Sequence, residues 1–159
     1  MQQYSENCPC GASTPCAPTW YAALAQEQSD RAMYAWHTPL VLAYLLQHPN
    51  ESVAREQYLD GQFRILQLYL DRGLAALNRF GQTQRRRNAV QGTDFAYDTQ
   101  ALAAYRPLPG WIPDRYARSV HDLRDADDGF VGDGHESYGA RMAELVRATV
   151  DAYLNGPAG

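Results

Sequence analysis

The chain has 159 residues, 45% of them apolar and 20% charged, enough core-forming sequence for one folded domain and unlike a disordered tail. A net charge of −4 excludes bulk electrostatic attraction to nucleic acid, and there is no apolar run of about 18 residues to cross a bilayer. All 14 basic residues are arginine, which excludes lysine Schiff-base chemistry and a P-loop lysine together. The opening residues MQQYSEN lack the basic and apolar regions of a secretory signal, so the expected address is cytoplasmic.

The pattern predicts an all-α fold: one helical domain, 1–159, built as a bundle of about four main helices behind an irregular cysteine-rich head. The head, 1–17, is broken by Pro9, Gly11 and Pro15. A first helix is expected at 18–28, with Trp20, Ala23, Leu24 and Glu27 on one face. A second is expected at 31–47, where Pro39 should kink the helix or reset its start with Thr38 as cap. Its Leu40–Leu46 stretch is apolar nearly all round, which suits a central helix. A third is expected from a cap near Asn50 to Phe80, stopped by Gly81, with Val53, Phe63, Leu66, Leu70, Leu74 and Leu77 as its stripe. Gly61 and Gly73 within it suggest a close neighbour. This completes a helical core over 18–80.

Residues 82–133 read as an irregular loop region, with a short helical turn around 99–105 and a possible short strand pair near 117–123. The terminal helix is expected at 134–155, capped by Asp133 with Glu136 completing a capping box. Tyr138, Met142, Leu145, Thr149 and Ala152 would line its buried side.

All three cysteines fall within CPCGASTPC. An odd, tightly clustered set in a reducing compartment suits a metal better than disulfides. Cys8, Cys10 and Cys16 offer three thiolates, and a structural zinc site needs a fourth ligand. The first helix leaves Cys16, and the second returns antiparallel, so His48 at the returning end should lie beside the cysteines. His37, eleven residues earlier, lies roughly 16 Å farther along the axis at 1.5 Å per residue. The expected metal ligands are therefore Cys8, Cys10, Cys16 and His48, holding one zinc ion, with copper(I) as the rival soft metal.

The segments NCPCG, Cys16 and WHTPLVLAYLLQHP resemble a bacterial family of uncharacterised small proteins. Its members open with a CPxCG knuckle and carry H-x-L-T-V-D-A-Y-x-x-Q-H-P. The match covers Cys8, Cys10, Cys16, His37, Tyr44, Gln47, His48 and Pro49, and it extends through QYLDGQFRILQLYLDRG and the last third of the chain. The knuckle here is one residue shorter, and Leu42 stands where the pattern has aspartate. The resemblance implies metal binding in a single domain and no particular reaction.

Three other histidines are candidates for a second, more open site: His37, His121 and His135, with Asp122 or Glu136. Ordinary hydrogen-bonded histidines are the simpler expectation. The acidic run from Asp125 to Glu136 fails as an EF-hand loop, because Phe130 occupies the position that requires glycine. Arg85, Arg86 and Arg87 are expected to face solvent. Tyr44 and Gln47, three apart on one face, could order the His48 ring. Two functions follow. One is a binding or accessory module with a structural zinc knot, working with an unknown protein or small-molecule partner. The other is a small metal-dependent enzyme of hydrolase or lyase type, using the Cys/His site or a second histidine site.

Overall fold

The order of helices follows from where proline, glycine and aspartate interrupt the backbone. A computed structural model describes residues 7–49, 56–92 and 97–156. Helix α1, Ala17–Ser29, carries proline in its first turn, where a missing N–H costs nothing. It stops at Asp30, whose extended backbone caps the next turn by accepting from the Met33 N–H at 3.0 Å. That next turn is the short helix α2, Arg31–Tyr34. The chain then resets at Trp36, and α3 runs His37–Gln47. The expected 31–47 helix is thus two helices. The break lies before Pro39, and Thr38 is not its cap, because Pro39 sits inside the first turn of α3 where its lack of an N–H is harmless.

The expected third helix also divides. Helix α4, Glu56–Arg72, ends at Gly73, whose φ of 87° and ψ of 177° belong to a region essentially reserved for glycine. Helix α5 then runs Leu74–Gln91 and ends on left-handed Gly92. Gly81 is therefore an interior residue of α5, not a stop, and 82–91 is helical rather than loop. The expected cap at Asn50 and the core residue Val53 lie outside the described residues. Gly61 does admit a close neighbour: a Cβ there would lie 2.3 Å from the Tyr97 ring.

Between α5 and the last helix, one helical turn forms at 98–105, with the Leu102 N–H on the Asp98 carbonyl and the Asp98 side chain accepting from the Gln100 and Ala101 N–H groups. Val120–Leu123 is a 3-10 turn with a Ser119–Asp122 capping box, in place of the possible strand pair. No strand occurs among the described residues. Helix α6, His135–Leu154, starts from Gly134 without a side-chain cap. Asp133 is committed instead to Arg141, 2.6 Å away, so the capping box with Glu136 does not form.

Helix α3 is the centre of the packing, touching α1, α4 and α6. Its apolar girdle explains this: Leu40, Leu42, Ala43, Tyr44 and Leu46 are all buried. Phe63, Leu66, Met142, Leu145 and Val146 face them from α4 and α6. Helices α1 and α3 run antiparallel, since Glu27 bonds His37 at one end while Trp20 stacks on Tyr44 toward the other. That register sets the start of α1 beside the end of α3.

Candidate metal centre

The knuckle is a tight turn. The Gly11 N–H donates to the Cys8 carbonyl and the Cys8 N–H to the Ala12 carbonyl, each at 2.9 Å. Gly11 adopts φ +92°, and a Cβ on it would meet the Asp114 carbonyl at 2.9 Å. The turn is therefore pressed against the backbone that leads into the 3-10 turn. Cys16 stands one residue before α1, and its carbonyl accepts from the Trp20 N–H. The positive end of the helix dipole lies beside the cluster and favours negative charge on it. His48 is the C-cap of α3.

These three pieces bring four donors together. The ligand atoms of Cys8, Cys10, Cys16 and His48 all lie within 4.8 Å of one another. The Cys10 and Cys16 sulfurs are 3.6 Å apart, and Cys8 Sγ is 3.2 Å from His48 Nε2. A tetrahedral zinc with bonds of about 2.3 Å to sulfur separates its sulfurs by about 3.7 Å, so the donor set is close to the size such an ion needs. All four residues are at most 6% exposed, and none of the cysteines forms a disulfide.

The histidine is oriented for the task. Its Nδ1 lies 2.8 Å from the Tyr44 carbonyl, which can only accept. Nδ1 therefore carries a proton in either charge state, and Nε2 is the nitrogen turned to the sulfurs, free to become the ligand atom once its proton is displaced. The ring also stacks on Tyr44 at 4.1 Å between centroids, and Tyr44 lies flat on Trp20 at 4.0 Å. Tyr44 thus orders His48 through its carbonyl and its ring. Gln47 takes no part: it donates to the Arg118 carbonyl and to Thr149 Oγ1, tying α3 to α6.

The protonation chemistry is that of a metal-free ligand set. The hydrogen bond from Cys16 draws the Cys10 thiol well below the ordinary range, against the burial that raises it. The same bond, together with burial, pushes Cys16 up. For His48, burial opposes the charge, but the hydrogen bonds to Cys10, the Tyr44 carbonyl and Cys8 outweigh it and raise the imidazole to about 9. A metal entering this cluster would displace those protons.

The other histidines do not converge. His121 belongs near the knuckle: its Nε2 donates to the Thr14 carbonyl at 3.1 Å, leaving Nδ1 to accept from Thr19 Oγ1 at 2.8 Å. His37 bonds Glu27, and His135 spans both oxygens of Asp30 at 2.8 and 2.9 Å. Asp122 is used in the Ser119 capping box. The Asp125 carboxylate accepts from the N–H groups of Asp127, Gly129 and Gly132, so it organises its own loop. Among the described residues, the Cys/His cluster is the one group of metal-ligating side chains this close together.

Sequence reasoning missed two participants. Trp20, placed only on one face of the first helix, is the base of the aromatic stack under His48. Glu27, an acid within an apolar stripe, is the buried partner of His37; its position in that stripe was the available signal.

No curated protein matches the chain, and no solved structure does. A family profile does match, over residues 5–154, a span that includes the knuckle, the aromatic stack, His48 and the whole of α6. The chain belongs to DUF5946, a family of unknown function.

Proposed function

We propose that the chain is a binding or accessory module of one helical domain, stapled by a single structural zinc ion on Cys8, Cys10, Cys16 and His48. The observation that carries this reading is the closure of the donor set: three sulfurs and one imidazole nitrogen within 4.8 Å of one another, all buried. Structural zinc takes four protein ligands of this kind, whereas catalysis needs an open position. Zinc is favoured over copper(I), which is content with two or three soft donors. A reducing, cytoplasmic location would keep the three thiols available.

One observation favours the enzymatic reading. A polar cleft of about 290 Å³ beside the centre is walled by Cys10, Thr14, His121 and Asp122, so solvent or a small substrate could approach from that side. Substitution with cobalt(II) separates the two, since a closed tetrahedral thiolate site and a five-coordinate, water-bearing site differ in their visible spectra.

The primary test is elemental analysis by plasma mass spectrometry, with thiol titration on the same sample. The expected result is about one zinc per chain, with all three thiols protected until a chelator is added. Cys16→Ser should lower metal content and thermal stability together. Metal-free protein with three freely reactive thiols, or full retention of metal in Cys16→Ser, would overturn the assignment.

A further inference from the structure

A second feature of the fold lies at the other end of α3, away from the cysteines. Helices α3, α4 and α5 line a half-open cavity of about 660 Å³, within the range of small-molecule sites. Val41, Leu42, Ile65, Leu77 and Phe80 form its apolar part, and Thr38, Gln84 and Asn88 add polar groups to the lining. Three polar side chains share both this cavity and the cleft that adjoins it: His37, Thr38 and Arg85. Arg85 makes no hydrogen bond or ion pair among the described residues, and it lies over Gly81, where no side chain narrows the approach. A guanidinium unpaired among the described residues, at the mouth of a partly apolar cavity, is the electrostatic complement of an anion.

His37 is held as a ligand-facing imidazole. Its Nδ1 is bonded to Glu27, whose side chain is fully buried, and the ring stacks on Tyr34 at 4.9 Å. Nδ1 is thereby committed to Glu27, and Nε2 is left without a partner among the described residues. The contact with Glu27 fixes the orientation of the His37 ring.

We propose that this cavity binds a small organic acid, its apolar body against Val41, Leu42, Ile65, Leu77 and Phe80 and its carboxylate met at the mouth by Arg85. The inference is independent of the metal reading, because the two sites share no residue.

The test uses the full-length, metal-replete protein and isothermal titration with decanoate below its micellar concentration. The neutral 1-decanol and the cationic decyltrimethylammonium serve as probes of the same chain length. The expected result is one decanoate per chain, bound at least tenfold more tightly than either counterpart. Arg85→Gln, at an exposed position, should abolish that preference while leaving the melting temperature unchanged. Val41→Trp, which fills the cavity from one wall, should remove binding of all three. No decanoate binding to the folded protein, equal binding of acid and cation, or undiminished binding in Val41→Trp would each overturn the proposal.

Discussion

Gly11 shows how much of the centre depends on residues that are not ligands. The turn between Cys8 and Cys16 must carry two sulfurs to one point within a few residues, and its corner adopts φ +92° with the Asp114 carbonyl 2.9 Å from where a Cβ would stand. Gly11→Ala leaves all four donors in the chain. It should nevertheless cost about 1–3 kcal/mol in backbone strain alone, with the clash against Asp114 added. The expected outcome is a lower affinity for the metal in a competition with a chromogenic chelator. An affinity equal to that of the unmodified protein would show that the knuckle reaches its geometry without this glycine. His48 makes the complementary point. Its usefulness depends on the Tyr44 carbonyl that takes the Nδ1 proton, a backbone group that no side-chain motif can reveal.

Two glycines on α4 and at its end illustrate different reasons for one residue type, and they separate by experiment. At Gly73 a Cβ would meet nothing within 4 Å, so Gly73→Ala should lose about 1–3 kcal/mol through φ and ψ alone, partly offset by about 0.4–1 kcal/mol from the less flexible unfolded chain. At Gly61 the backbone is helical and the obstacle is the Tyr97 ring at 2.3 Å. Overpacking of this kind costs about 1–3 kcal/mol, and it should be relieved in the Gly61→Ala, Tyr97→Ala double variant. Urea midpoints around the double-mutant cycle measure this. The coupling should be clear for Gly61 with Tyr97 and absent for Gly73 with Tyr97. Additivity at both positions would refute the contact reading of Gly61.

The same elements show what could be read from sequence. Helix α3 was legible because its apolar girdle is unmistakable, and the antiparallel return of α3 on α1 was enough to select His48. Helix α5 was not: among its described residues only Leu77 and Gln84 are buried, so QTQRRRNAVQ carries no stripe to announce it. Periodicity cannot distinguish an interior Gly81 from a breaking Gly73, because the difference lies in φ. The pairing of Glu27 with His37 depends on helix register, which appears only once both helices are placed.

At the scale of the molecule, the centre joins the head, the start of α1 and the end of α3, and its cysteines adjoin a core that extends well beyond it. Leu40, Leu46, Phe63, Leu66, Met142, Leu145 and Val146 are buried against one another's helices, and α3 packs on α4 and α6. This differs from a zinc finger, whose fold is unformed without its ion. Under the metal reading, chelation should release the head and leave the α3–α4–α6 assembly folded. A ligand held about 1,000-fold above its dissociation constant stabilises by about 4 kcal/mol. For a chain of this size each kcal/mol is about 2–4 °C, so the melting temperature should fall by roughly 8–16 °C. Hydrogen exchange gives the position of the loss. The amides of Cys8, Gly11 and Trp20, bonded to the carbonyls of Ala12, Cys8 and Cys16, should lose protection on chelation, while those in the middle of α4 keep theirs. Equal loss in α4 would mean that the ion holds the whole fold together. No loss at the knuckle would mean that hydrogen bonds and the Trp20–Tyr44–His48 stack suffice to hold it, and the ion would then have some purpose other than stability.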